Sequence, residues 1–245
     1  MIVCDNVSFA YEPERPVLQN LSFHVGRGET VGLIGANGAG KSTVMKILLG
    51  LLPCDGRVLV DGTEVKKATL GNIRRKLGFV LQNADHQMFM PTVFEDMLFG
   101  PMNYGATRAE AEARADAALE QLGITALKHR QNHRLSGGEK RMAAIATILA
   151  MEPEAVLMDE PSAALDPFNR RLVIQTIRGM TQTKLIASHD LDLILETCSR
   201  VILLSGGKKA AEGAAGDILR DRTLLEAHRL ELPLCLAGYP NANDP

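Results

Sequence analysis

Gly35-Ala36-Asn37-Gly38-Ala39-Gly40-Lys41-Ser42 is the stretch from which the remainder of the chain is read. It fits the pattern G-x-x-x-x-G-K-[ST]. The apolar run Val31-Gly32-Leu33-Ile34 leads into it, and Thr43 to Leu52 after it have helical character. Strand, glycine-rich loop and helix in that order are the context of a phosphate-binding loop. Gly35, Gly38 and Gly40 let backbone N–H groups, that of Asn37 among them, close around phosphate oxygens, and the helix start adds positive potential. Lys41 is placed to reach β- and γ-phosphates, Ser42 to ligate Mg²⁺ and Thr43 to bond an α-phosphate. The bland reading, a glycine-rich turn with a chance lysine, does not account for the flanking strand and helix.

Working outward, Val156-Leu157-Met158-Asp159-Glu160 is an apolar strand that ends in two acids. On a parallel sheet it sets carboxylates at the carboxyl edge, where α/β folds bind ligands. Asp159 there would hold Mg²⁺, and Glu160 would act as general base toward a water. Alone, an Asp-Glu pair fits a solvated strand end; beside a phosphate loop it reads as chemistry. Leu135-Ser136-Gly137-Gly138-Glu139 opens another helix, with Ser136 as N-cap and two glycines making an anion-ready start.

The intervening pattern supplies the fold. Ile2 to Tyr11 and Leu21 to Val25 alternate like half-buried, hairpin-like antiparallel strands. Val58-Leu59-Val60 before Asp61-Gly62 reads as a strand and tight turn. Leu77 to Leu81, Ala155 to Met158, Lys184 to Ser188 and Val201 to Leu204 are apolar strands, the later ones separated by helix-length segments, so a mostly parallel sheet flanked by helices is expected. Residues 83–150 read as a helical insertion. Within them Thr107 to Leu122 is the clearest helix, with a Thr107/Glu110 capping box, a Glu110/Arg114 pair at i,i+4 and Gly123 as its stop. Residues 214–245 read as a helical tail with a polar end at Asn241 to Pro245.

Bulk properties limit the alternatives. The 245 residues suit one large α/β domain with a subdomain, and a 46% hydrophobic content argues against global disorder. A net charge of −2 gives no basic excess for nucleic acid. No apolar run approaches the roughly 20 residues of a membrane span. Met1 to Asp5 show no leader pattern, so a place in the cytoplasm, or on the cytoplasmic side of a complex, is expected. Cys4, Cys54, Cys198 and Cys235 form no C-x-x-C and read as reduced thiols.

With these motifs in hand the chain resembles the ATP-binding cassette ATPases, from Ile2 to about Leu236. The resemblance implies a P-loop NTPase fold with a RecA-like core, an N-terminal antiparallel β subdomain and an inserted helical subdomain. It implies ATP and Mg²⁺ as cofactors, with Ser42, Gln82 and Asp159 around the Mg²⁺. It makes Glu160, His189 and Gln82 catalytic and Tyr11 the aromatic that stacks on adenine. Ser136, Gly137 and Gly138 would meet the γ-phosphate held by a second subunit, and Asp166 would lie in the loop linking two ATP sites. Glu139 departs from the family's commoner Gln. The partners implied are a second ATPase subunit, identical or paralogous, in a head-to-tail dimer, a transmembrane coupling subunit and a substrate-binding membrane subunit. No nucleic acid is expected, and the place implied is the cytoplasmic face of the cell membrane.

A narrower resemblance rests on Gln82-Asn83-Ala84-Asp85-His86-Gln87-Met88-Phe89, Thr92-Val93-Phe94-Glu95-Asp96, Phe99-Gly100-Pro101, Leu165-Asp166-Pro167 and Glu231-Leu232-Pro233. These look like the ATPases of energy-coupling-factor transporters, which import cobalt, nickel or vitamins; Ala84 stands where that group usually has Pro. Part of the dense apolar set from Met88 to Phe99 is expected to form a groove for a membrane subunit, with Met88 and Met90 as the residues to test. Two other readings are a DNA-maintenance cassette, against which stand the lack of a long heptad insertion between Gln82 and Ser136 and of a basic excess, and an iron–sulfur assembly cassette, against which stands the resemblance of the Asp85-to-Phe89 segment to transport ATPases. His129 and His133 have metal-like i,i+4 spacing but no evident third ligand, and read as a solvated pair.

Overall fold

The structure is a computed structural model and describes residues 1–238. The polar end read at Asn241 to Pro245 lies outside the described residues. In chain order the elements are β1 (Ile2–Glu12), β2 (Arg15–Val25), β3 (Thr30–Ile34), α1 (Lys41–Leu48), β4 (Asp55–Val60), β5 (Thr63–Glu64), α2 (Leu70–Lys76) and β6 (Leu77–Val80). Three helices follow: α3 (Val93–Asn103), α4 (Arg108–Gln121) and α5 (Gly137–Leu149). Then come β7 (Ala155–Asp159), α6 (Pro167–Gly179), β8 (Thr183–Ala187), α7 (Leu191–Thr197), β9 (Arg200–Ser205), β10 (Lys208–Ala214), α8 (Ala215–Ile218), α9 (Arg222–Ala227) and α10 (Leu234–Ala237).

Two sheets organise these elements. The first, in order β2-β1-β4-β5, is antiparallel throughout. The second, in order β10-β9-β3-β8-β7-β6, is parallel except for β10, which turns back on β9. The five residues of β7 and the five of β8 are all buried, the composition a doubly covered sheet demands. One core fills the space between the two sheets and α1, around Leu21, Val31, Leu33, Met45, Leu48 and Leu157. The other lies under the helices on the opposite face of the parallel sheet and runs continuously from Val93 and Met97 through Ile145 to Ile174 and Ile194.

Register brings the motifs to one edge. Leu33 is opposite Ala187, Ala187 opposite Asp159, and Val80 opposite Met158. The chain therefore leaves β3, β8, β7 and β6 at nearly one level. Gly35, Ser188, Glu160 and Gln82 all emerge there, at the carboxyl edge of the parallel strands.

Some local expectations are corrected. The first helix ends at Leu48, not Leu52: Gly50 takes φ 60°, and the Gly50 and Leu51 amides bond the carbonyls of Ile47 and Lys46. A left-handed glycine that caps the last carbonyls stops the helix although apolar residues continue. The Thr107/Glu110 capping box is present, but Arg114 reaches Glu152 at 3.1 Å instead of Glu110, whose carboxylate is occupied by Thr107. The second strand starts at Arg15, well before Leu21, and the strand β10 was not anticipated. The tail after Gly213 begins by completing that strand, then forms three short helices.

Candidate functional site

The loop between β3 and α1 is shaped by what its glycines make possible. Gly40 sits at φ 105°, and a Cβ there would meet the Leu18 side chain at 2.6 Å. Gly40 also N-caps α1 with no side-chain hydrogen bond. The contrast with other helices is informative: α3, α4, α5 and α6 are capped by Thr92, Thr107, Ser136 and Asp166. Only a helix whose first amides are left to another partner gains from an uncapped start. Lys41 is buried, its Nζ donating to the carbonyl of Gly35 at 2.7 Å. Burial pushes its pKa down, and the nearby Glu160 and Asp159 carboxylates oppose that shift.

The pocket above this loop, about 490 Å³, is lined by Tyr11, Asn37, Gly38, Gly40, Lys41, Ser42, Thr43, Gln82, Glu160 and His189. Residues from four strand ends and one hairpin thus converge as the sequence suggests. Tyr11 is exposed near the tip of the β1–β2 hairpin, its ring edge-on to Phe9 at 4.8 Å.

Glu160 is buried at φ 49°, a left-handed conformation that costs a non-glycine residue about 1–3 kcal/mol. Its carboxylate Oε2 accepts hydrogen bonds from Ser188 Oγ at 2.9 Å and the His189 amide at 3.1 Å, and faces His189 Nδ1 at 2.7 Å. Two donors from the end of β8 thereby fix one oxygen of a side chain whose backbone is strained, with the His189 ring beside it. Asp159, one residue earlier, bonds Ser42, and its Oδ1 is buried with no hydrogen-bond partner among the described residues. Burial raises the Asp159 pKa, as does the Glu160 charge, while Ser42, Lys41 and Lys46 lower it. An orphaned carboxylate oxygen next to a serine hydroxyl is the donor set a hard cation takes.

Ser136, Gly137, Gly138 and Asp166 do not line this pocket. Gly137 borders a separate cleft of about 370 Å³ with Gln82, Lys140, Arg141 and residues Ala163 to Leu165. Gly137 and Gly138 differ in an instructive way. A Cβ at Gly138 would fall 2.0 Å from the Asn169 side chain, whereas one at Gly137 would meet nothing within 4 Å. Asn169 donates to Asp166, which caps α6. So the start of α5 and the loop carrying Asp166 are packed together within one chain.

Glu139 has a role the sequence reading passed over. Its carboxylate accepts from the Ser136 amide at 2.8 Å, and Ser136 Oγ accepts from the Glu139 amide, a full capping box. That backbone bond holds its pKa down. The signal was the spacing Ser136-x-x-Glu139, the same spacing that marked Thr107 and Glu110. Ser188 and Asn169 were likewise missed as positioning groups, because nothing in sequence shows which loop a hydroxyl or amide will face. His129 and His133 are both exposed and lie on separate turns, His129 against the ring of Phe94. Among the described residues no group of three or more His, Cys, Asp or Glu is arranged to hold a metal, and no helix is long and apolar enough to cross a membrane.

Comparison with known proteins agrees with this geometry. The family model for the ABC transporter matches residues 18–163. A Geobacter sulfurreducens protein described as an ABC transporter ATP-binding protein is 46% identical over 94% of this chain and 93% of its own. The energy-coupling factor transporter ATP-binding protein EcfA of Methanothermobacter thermautotrophicus is 43% identical over 95% of this chain and 77% of its own. Among solved structures, cbiO1 from Clostridium perfringens, part of the ABC transporter complex cbiONQ, superposes with a TM-score of 0.83 at 29% identity, covering 92% of this chain and 93% of that one. A dimeric ATP-binding cassette in a post-hydrolysis state with ADP and Pi gives 0.77 at 26% identity, over 88% and 99%. With the phosphate loop, the acidic strand end and the Ser136 helix start in one ABC cassette fold, the chain belongs to the ABC transporter family, as an ATP-binding subunit whose ATP hydrolysis is coupled to transport.

Proposed function

We propose that this chain powers an importer of the energy-coupling-factor type, working as a head-to-tail ATPase dimer on the cytoplasmic face of the membrane. The observation that carries the subtype is the surface following Gln82. Phe89 is 62% exposed and Phe99 41%, their rings edge-on at 4.9 Å, with exposed Met102 on the same helix as Phe99. Similarity to EcfA and cbiO1 supports it. Exposed aromatics gathered beside a site loop suit a partner surface. The cargo class, a cobalt or nickel ion or a vitamin, would be selected by the membrane subunits.

In this reading Tyr11 stacks on adenine, and Gly35, Asn37, Gly38, Gly40, Lys41, Ser42 and Thr43 cradle the phosphates. Ser42, Asp159 and Gln82 hold Mg²⁺, which when bound neutralises charge on the β- and γ-oxygens. Glu160 orients the attacking water and takes its proton, with His189 beside it. Ser136, Gly137, Gly138 and Asp166 complete the partner's site, which accounts for their not lining the phosphate-loop pocket of their own chain. Residues 83–150 act as the helical subdomain that presents Ser136, Gly137 and Gly138, and residues 214–245 as a tail whose described residues end at 238.

Of the two test residues, the structure corrects Met88, while Met90 is half-buried. Met88 is 6% exposed and part of the core, so a charge there would unfold the chain. Phe89→Glu is the surface probe. It should leave folding and ATP binding intact while the chain no longer copurifies with its membrane subunits. Normal copurification and transport by Phe89→Glu would remove this surface from the interface. Identification of the wild-type membrane partners by mass spectrometry tests the subtype directly.

A further inference from the structure

The fork of Arg141 sits one turn into α5 and is 4% exposed. Nη1 donates to the carbonyl of Leu81 at 2.6 Å and Nη2 to that of Gln82 at 2.5 Å. The two carbonyls belong to the peptides on either side of Gln82. Gln87 adds a second tie: its Oε1 accepts from the Leu81 amide at 3.0 Å, while its Nε2 donates to the Ala144 carbonyl at 2.6 Å and Thr147 Oγ1 at 3.0 Å. Lys140 pairs with Asp85 at the rim. The backbone of Gln82 is therefore fixed to two successive turns of α5.

Arg141 forms no ion pair among the described residues, and burial lowers its pKa. Its Nε is buried without a partner. A buried guanidinium with only carbonyl partners is a costly way to fill a core position that an apolar side chain would fill more cheaply. What the fork provides instead is direction: two parallel donors fix the plane of their acceptors. Ser136 lies five residues before Arg141 on the same stiff helix start, about 7.5 Å along the axis. A shift of the Gln82 backbone is thus a shift of Ser136.

We propose that Arg141, supported by Gln87, is the positioning residue that transmits the state of Gln82 at one ATP site to Ser136 at the other. This rests on the assignment of Gln82 and Ser136 given under Proposed function. The consequence is that γ-phosphate engaged by a chain's own Gln82 pre-sets the motif that chain offers to its partner. Coupling of this kind between sites is typically worth about 5- to 150-fold.

The test uses the full chain with spin labels at Lys67→Cys and Ala117→Cys, both exposed, in a Cys54→Ser, Cys235→Ser background. Pulsed electron resonance reads the distance between the N-terminal sheet and α4 with and without MgATP. The parent should bind MgATP and shift that distance. Arg141→Met should bind MgATP within about twofold, because Arg141 does not line the phosphate-loop pocket, yet lose the shift and at least about fivefold in kcat. Arg141→Lys, which keeps a cationic donor, should recover part of both. A retained shift and turnover in Arg141→Met, or loss of ATP binding with the melting transition intact, overturns the proposal. If Arg141→Met does not fold, the half-buried Gln87→Leu decides by the same readouts: a lost shift with ATP still bound supports the joint, and a retained shift refutes it. A parent that binds MgATP without any shift removes the underlying assignment of Gln82, and the joint with it.

Discussion

Glu160 is held by its surroundings more than by its own preferences. Its φ of 49° is unfavourable, yet Ser188, the His189 amide and His189 Nδ1 all converge on its Oε2. That leaves Oε1 as the oxygen directed to other business, and a fixed orientation is what a general base needs. Glu160→Gln keeps an acceptor oxygen for Ser188 and the His189 amide while removing the carboxylate proposed as the base. It should bind MgATP with near-parental affinity, lower kcat by about 10²-fold or more, and accumulate as an ATP-bound dimer on gel filtration. Turnover close to that of the parent would take Glu160 out of the reaction. At this scale the site was largely legible: Lys41, Ser42, Glu160 and His189 stand in motifs whose spacing is dictated by phosphate chemistry. What was not legible is the set of residues that act on other residues. Ser188 on Glu160, Asn169 on Asp166 and Arg141 on Gln82 depend on contacts between segments about 28, 3 and 59 positions apart, and only folding decides the long ones.

Between elements, Arg200 at the start of β9 joins four segments. It makes a two-toothed contact with Glu29, at 2.7 and 3.0 Å, pairs with Glu212 on β10 and donates to the His24 carbonyl on β2. Arg200's hydrogen bonds hold the Glu29 pKa below its ordinary 4.5, against partial burial and with help from the Gly26 amide. A depressed carboxylate contributes stability that is complete above its unfolded pKa and is lost as pH falls through the folded one. Glu29→Gln should therefore melt below the parent at pH 7, and the two melting curves should approach each other as pH drops below about 4.5. A gap that stays constant down to pH 3 would mean that the ion pair is not its source. Element ends were the least legible part of the fold, for physical reasons. Leu51 and Leu52 continue the apolar pattern of α1, but Gly50 in the left-handed region has already capped it. Met88 and Phe89 are equally apolar in sequence; the turn at Ala84–His86 sends the first inward and leaves the second in solvent.

For the whole molecule, the alternation of apolar strands and helix-length segments was enough to imply a parallel sheet, and the paired early strands an antiparallel one. The strand order was not implied: β3 lies between β8 and β9, far away in sequence, and only that insertion places the phosphate loop beside His189. The two clefts then have a genetic meaning. In the head-to-tail pair proposed above, if both chains are identical, each composite site draws one half from each protomer, because Gly137 lines a different cleft from the phosphate loop of its own chain. Lys41→Ala spoils the receiving half and Gly137→Ala, whose added Cβ has free space, spoils the donated half without disturbing the fold. Either variant alone should leave every site broken. Mixed together, a hybrid pair gathers both lesions into one site and leaves the other intact. Unlike the two dead parents, the mixture should hydrolyse ATP, measured as phosphate release against the fraction of hybrid. Two loss-of-function alleles of this one gene product should therefore complement each other, and such alleles should sort into two groups by which cleft they strike.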